Sequence, residues 1–325
     1  MQRALRNNCL THSATDNDKV SKHIYIYSPS GAVRDKQAFK RGIKRLQALG
    51  FEVEVDQDAL SSHMRFAGDD DVRLAAIQRA AASGADVAMI SRGGYGLTRI
   101  LGRIRYAAIA KAIERGTQFV GISDFTAFQL AVLAKTGATT WAGPALCEGF
   151  GVGGAPDLVP DDIMEDCFLD MVGGQGEGTG WRQNLALPGK PVVIHHAPVW
   201  GGNLSVLVSL LGTPYFPSIK GGIMFLEDVG EHPYQIERML TQLLHSGVLA
   251  QQKAIVLGQF TGFSLTAHDK GFKLGTVVAW LQAQLKVPVI TNLPYGHVQT
   301  KVLLPVGKHA DLVAEGKDVM MVWGH

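Results

Sequence analysis

From residue 23 onward the chain alternates short β-branched runs with segments of helical periodicity, and few folds satisfy that rhythm. Ile24-Tyr25-Ile26-Tyr27 precedes a helical stretch over 35–49. Phe51-Glu52-Val53-Glu54-Val55, a helix over 70–82 and Val87-Ala88-Met89-Ile90 follow, then a helical segment over 97–115, a strand at 118–122 and a helix over 126–136. Strict alternation implies a parallel sheet covered by helices on both faces. In such sheets functional residues gather beyond the carboxyl ends of the strands.

The second half reads differently. Glycine-rich stretches at 151–156 and 173–178 bracket a short helical piece at 161–171, so residues 151–184 are expected to connect two domains. Beyond them, 191–194, 223–226, 254–257, 287–290 and 302–304 read as strands. Ile236, Met239, Leu240, Leu243 and Leu244 form a helical stripe between two of them. The expected architecture is α/β: a doubly wound, flavodoxin- or Rossmann-like parallel-sheet domain over 23–150, then a mixed-sheet α/β domain over 185–325. Residues 1–22 read as a disordered polar tail, without the apolar core of a signal peptide.

Composition narrows the function classes. Of 325 residues, 46% are hydrophobic and 18% charged, the balance of a well-packed chain long enough for two domains. Net charge is +2, from 31 Lys and Arg against 29 Asp and Glu, and no basic block stands out, so nucleic acid is not the expected partner. No apolar run is long enough to span a membrane. The three cysteines, Cys9, Cys147 and Cys167, are odd in number and widely spaced. That fits neither a disulfide framework nor a zinc site, and a cytoplasmic setting is expected.

The candidate chemistry starts in Gly121-Ile122-Ser123-Asp124-Phe125-Thr126, where a serine lies between a strand and a helix. Ser123 and Asp124 fall where N-caps fall, and an ordinary cap is one reading. The other is a nucleophile: the first helical amides have no intrahelical partner and would face the serine hydroxyl. The pattern resembles the elbow G-x-S-x-G, with Phe125 in place of the second glycine. A second strand end carries Ser91-Arg92-Gly93-Gly94-Tyr95-Gly96, a loop able to approach a neighbour or ligand closely.

A serine nucleophile needs a base and a carboxylate to orient it. Of 11 histidines, His297 stands out, in a tight loop at a strand end, Asn292-Leu293-Pro294-Tyr295-Gly296-His297; a polar loop histidine is the alternative. His195 and His196 are adjacent on a strand and face opposite ways. Glu227, carried off the apolar run 222–226, is the candidate orienter, with Asp228 its competitor and Glu231 expected to begin the next helix. Cys147 has no neighbouring base and reads as a small buried hydrophobe.

Taken together with Gly201-Gly202-Asn203-Leu204-Ser205, Leu226-Glu227-Asp228-Val229-Gly230-Glu231 and Leu293-Pro294-Tyr295-Gly296-His297, these blocks resemble, in order, those of the serine LD-carboxypeptidases, muramoyltetrapeptide carboxypeptidases of peptidoglycan recycling. The resemblance implies a Ser123, Glu227, His297 triad divided between two domains, and an oxyanion hole from the backbone amides of Gly94 and Asp124. It further implies a muropeptide substrate, a homodimer, a cytoplasmic location and no metal or cofactor. Arg92 is the candidate for the substrate's terminal carboxylate. The alternatives are a microcin-immunity-type peptidase with the same triad, and a non-catalytic cleft that binds small peptides.

Overall fold

The computed structural model describes residues 21–155, 159–184 and 190–324. Nearly all of the expected tail, Cys9 included, lies outside the described residues. In the first half, β1 (His23–Tyr27), α1 (Lys36–Ala48), β2 (Glu52–Val55), α2 (Asp70–Ala82), β3 (Val87–Ile90), α3 (Tyr106–Glu114), β4 (Gln118–Gly121), α4 (Phe125–Thr136) and β5 (Thr140–Ala142) follow the expected alternation. The helical segment expected over 97–115 is divided: two 3-10 turns, Leu97–Arg99 and Leu101–Arg103, precede α3. Asp35 caps α1 and Asp69 caps α2 through side-chain bonds to first-turn amides.

The remaining elements are α5 (Asp162–Val172), β6 (Gly178–Arg182), β7 (Val192–Asn203), α6 (Leu204–Ser209), β8 (Ile223–Val229), α7 (Pro233–His245), β9 (Ala254–Thr261), α8 (Leu274–Gln284), β10 (Val289–Ile290), β11 (Leu304–Val306), β12 (His309–Glu315) and β13 (Asp318–Val322). Two mixed sheets result, ordered β11-β5-β4-β3-β1-β2 and β10-β9-β8-β7-β12-β13-β6. β1 to β5 run parallel, as expected. The first sheet is nevertheless not purely parallel, because β11 returns from the second half and pairs antiparallel with β5.

Residues 151–184, expected to connect the two domains around a short helical piece, contain that helix and pack into both halves. Asp161 caps α5, and Met164, Phe168 and Met171 pack with Ile24, Ile26, Phe39 and Phe150 of the first domain. β6 then pairs with β13 as an edge of the second sheet. The glycines around these elements form turns between packed pieces. At the far end of that sheet the Trp181 indole donates to the Thr291 carbonyl at 3.0 Å, and the Asn292 amide to the Arg182 carbonyl at 2.8 Å. The two ends of the sheet thereby meet.

The strand order places the reversal of winding between β1 and β3, so the loops after them, with the loop after β4, border the crevice where α/β sheets bind ligands. α4, behind Ser123, is buried around most of its circumference. It packs on α3 and β5 on one side and on α6 and β7 of the second half on the other, as its all-round apolar sequence requires. One continuous apolar cluster runs from Phe125 and Phe128 to Trp200, Leu204 and Leu226.

Gly202 marks a close approach of the two halves. Its φ is +137°, and a Cβ there would lie 2.5 Å from Thr126 Oγ1. Gly202→Ala is expected to combine backbone strain of about 1–3 kcal/mol with a clash against α4, lowering the thermal midpoint by several degrees in a calorimetric scan. An unchanged midpoint would refute this account of the contact.

Candidate active site

Ser123 follows β4 with φ = +68°, a left-handed conformation that non-glycine residues seldom adopt. Its neighbours make that geometry possible. A Cβ on Gly93 would lie 2.5 Å from Ser123 Cβ and 2.8 Å from its Oγ, and a Cβ on Gly121 would lie 2.6 Å from the Phe125 ring. The space that an elbow needs therefore comes from glycines before the serine and across from it, while Phe125 fills the position of the absent second glycine.

The cap reading of Ser123 and Asp124 is not what forms. Asp124 occupies the N-cap position of α4, but its side chain makes no capping bond. It turns away instead, accepting from the Ser30 hydroxyl and, at 2.9 Å, from the Leu97 amide. Burial pushes its carboxyl above the ordinary range against these hydrogen bonds. The carboxyl ties the loops after β1 and β3 to the start of α4. Beside it the Gly31 amide donates to Gly93 O at 3.2 Å, and a Cβ on Gly94, whose φ is +125°, would lie 3.0 Å from Gly31 Cα. Among the described residues neither the Gly94 nor the Asp124 amide donates to a protein acceptor, and Ser123 Oγ has no hydrogen-bond partner.

Glu227 and His297 are in direct contact. Glu227, near the end of β8, is wholly buried, and His297 Nδ1 lies 2.8 Å from its Oε2. The loop carrying His297 presses against β8 and β9 because glycines leave room: a Cβ on Gly296 would lie 3.2 Å from Glu227 Oε2, and one on Gly258 would lie 2.5 Å from Tyr295 O. Burial disfavours the imidazolium, but the hydrogen bond and charge of Glu227 outweigh it and hold the His297 pKa above its ordinary value.

Asp228, the competitor, is occupied elsewhere. It accepts from Asn203 Nδ2 at 2.9 Å and from the Ser205 and Val229 amides at 2.8 Å each, and burial pushes it up to about 6. The β8–β9 register shifts between Leu226 and Asp228, and there both acids reach the Asn203 amide. Glu231 precedes α7 rather than entering it, because His232 is the cap and Pro233 the first helical residue. Exposed His195 pairs with Asp311 at 2.9 Å, and His196 stacks on His309.

Asn203 is the residue that sequence reasoning left without a role. Its backbone amide donates to Thr126 Oγ1 at 3.0 Å and its side-chain amide to Glu227 Oε1 at 3.2 Å. One residue thus links the helix behind Ser123 to the acid behind His297. Its position after two glycines on a strand was the available signal. Arg92 donates to Glu148 at 3.4 Å and to the Ala32 carbonyl at 3.3 Å, both within the first half. Burial pushes the Cys147 thiol up to about 12, leaving it protonated and inert. Among the described residues no cluster of three or more His, Cys, Asp or Glu side chains is arranged to hold a metal. An apolar cavity of about 610 Å³ lies apart from these residues, between β9 and α8, lined by Leu257, Phe260, Leu274, Val278 and Val289.

Comparison with known proteins shows which family the chain resembles along its length. The family model described as LD-carboxypeptidase N-terminal domain matches residues 24–143, and that described as LD-carboxypeptidase C-terminal domain matches 196–312. The structure of a muramoyltetrapeptide carboxypeptidase from Oxalobacter formigenes is similar with a TM-score of 0.82 and 37% identity, over 94% of this chain and 99% of that one. A probable murein peptide carboxypeptidase of Bacillus subtilis is 29% identical over 86% of this chain and 85% of its own length. The microcin C7 self-immunity protein MccF of Escherichia coli is 24% identical over 91% of each.

A raised folded-state pKa means that protonated His297 stabilises the fold. This contribution is present in full below the ordinary histidine value of about 6.5 and is lost as pH rises through the raised value. In Glu227→Gln burial acts without the opposing charge, so the His297 pKa should fall below that of the wild type when its imidazole is titrated by NMR. An unchanged titration would refute the pairing.

Proposed function

The chain belongs to the serine-type LD-carboxypeptidase family, and we propose that it removes the terminal D-alanine from muropeptide tetrapeptides (L-Ala-γ-D-Glu-meso-diaminopimelate-D-Ala) through Ser123, Glu227 and His297. The observation that carries this reading is the buried 2.8 Å contact of Glu227 with His297, linked through Asn203 and Thr126 to the helix behind a left-handed serine. The names of the Oxalobacter and Bacillus relatives support the substrate class.

Glu227 accepts a hydrogen bond from the Nδ1–H of His297 and holds the tautomer that leaves Nε2 as the base. As the substrate seats, Nε2 takes the proton of Ser123 Oγ, which attacks the carbonyl on the L-centre of diaminopimelate. The Gly94 and Asp124 amides, free of protein acceptors, hold the tetrahedral oxyanion. His297 then returns the proton to the leaving nitrogen, D-alanine departs, and a water activated by the same imidazole cleaves the acyl-enzyme. The open Ser123 hydroxyl accords with a base contact that tightens only with substrate present.

The setting follows from the same reading: a cytoplasmic enzyme of peptidoglycan recycling, acting as a homodimer without metal or cofactor. Among the described residues no helix is long and apolar enough to cross a membrane. The cross-strand partners Val193, Val313 and Met320 form an exposed apolar row on the second sheet, a surface suited to a second copy. The likeness to the microcin self-immunity protein supports a second substrate class, an aminoacyl-nucleotide amide.

Incubation with muropeptides of L,D and D,D linkage, with the released amino acid identified by mass spectrometry, tests the reading. D-alanine should leave only from the L,D bond, and Ser123→Ala should lower kcat on the order of a million-fold, as in other serine hydrolases. Cleavage confined to the D,D bond or to an aminoacyl nucleotide would overturn the assignment, as would a near wild-type rate in Ser123→Ala.

A further inference from the structure

We propose that Lys301 binds the terminal carboxylate of the substrate, an inference that rests on the peptidase reading above. A carboxypeptidase must recognise a full negative charge about one residue, ~3.8 Å, beyond the bond it cuts, and a fixed cation does this best. Arg92 is already engaged by Glu148 and the Ala32 carbonyl. Lys301 is not.

Lys301 is 3% exposed, yet among the described residues its ammonium makes no hydrogen bond and no ion pair. Nor is it sealed off: the buried side-chain polar atoms without partners belong to other residues, such as Tyr27, Gln129 and Thr140. A lysine so deeply placed and unpaired is costly unless something compensates its charge. Burial holds its pKa below the ordinary lysine value, opposed by Glu148, Glu227 and Asp161. These acids lie after β5, on β8 and at the cap of α5, and His297 faces the ammonium from its own loop. All three act from beyond hydrogen-bonding distance, which leaves the ammonium's donors for a ligand.

The placement is built into the loop. Val302 N donates to Pro294 O at 2.8 Å, closing the loop at its base, and Thr300 Oγ1 donates to Asp161 Oδ2 at 2.5 Å beside Lys301. Thr261 Oγ1 donates to His297 O at 3.3 Å. His297 and Lys301 lie four residues apart on this closed loop, near enough for the charge of Lys301 to act on the imidazole. In D-alanine the nitrogen and the carboxylate are separated by one carbon. An imidazole that protonates the nitrogen and an ammonium that pairs with the carboxylate therefore read the leaving group as an amino acid, not merely as an amine. The substrate's other nearby anion is the side-chain carboxylate of diaminopimelate, and the choice of peptides separates the two.

The experiment compares wild type and Lys301→Met on three tetrapeptides: the diaminopimelate free acid, its C-terminal amide and the lysine-containing free acid. Lys301→Met should lower kcat/KM about 10- to 150-fold on both free acids, mainly through KM, with no further loss on the amide. Equal losses on acid and amide, or a loss confined to the diaminopimelate acid, would overturn the assignment. Labelling of Ser123 by a fluorophosphonate reports the triad without a carboxylate: a wild-type rate in Lys301→Met is expected, and its loss would make Lys301 a support of the triad instead. Failure of the peptidase reading would show separately, as a wild-type protein that releases no D-alanine. Calorimetric binding of acid and amide to Ser123→Ala, with and without Lys301→Met, then still decides the carboxylate claim. A preference for the acid that vanishes with Lys301 supports it, and no preference overturns it.

Discussion

The hydrogen bond between Glu227 and His297 forms at a carboxyl group with no access to water, and that burial shapes what surrounds it. A carboxylate at the end of a buried strand must find its compensation in protein dipoles. One oxygen receives the Asn203 amide and the other faces the imidazole. Asn203 can serve only because its backbone is held to Thr126, and the His297 loop can reach only because Gly296 and Gly258 omit side chains where it crosses β8 and β9. The acid, the base and the helix behind the serine are thus parts of one polar network set in an apolar cluster. Such networks hold a single arrangement when every member is satisfied.

The serine side works by a different principle. Ser123 is held in a conformation that costs of order 1–3 kcal/mol, and the neighbourhood over-determines it. Gly93 leaves the hydroxyl its space, Phe125 packs where Gly121 leaves room, and the Asp124 carboxyl ties the start of α4 to two neighbouring loops. That carboxyl accepts from Leu97 rather than capping α4, and among the described residues the amide of the same residue has no protein acceptor.

Much of this was legible. Strand-helix alternation announced the parallel core of the first sheet, because a strand buried on both faces leaves a dense β-branched run. Ser123 and Glu227 stand out because each is polar where an apolar run ends, and His297 because it sits in a tight Pro-Gly loop beyond a strand; the structure joins the last two directly. Ser30, Thr126 and Asn203 did not stand out: small neutral polar residues are common in loops, and only the fold shows which of them touch. The helix within 151–184 was legible, but β6 and the packing around it were not, because glycine marks turns between packed elements as readily as linkers. Arg92 drew attention by lying beside a glycine loop, whereas the absence of a hydrogen-bonded partner for the Lys301 ammonium among the described residues is visible only once the loop from Pro294 to Val302 is closed.

β11 gives the architecture a temporal consequence. A nascent chain could complete β1 to β5 early, but the strand that covers β5 is made only after β6 to β10. Until β11 leaves the ribosome, β5 is an open edge with unpaired backbone groups. The loop bearing His297 lies between β10 of one sheet and β11 of the other, so it is drawn taut only by the same closing event. Ser123 can be in place early in synthesis, but His297 arrives late, and under the proposed triad a prematurely released fragment would carry the serine with no means of activating it.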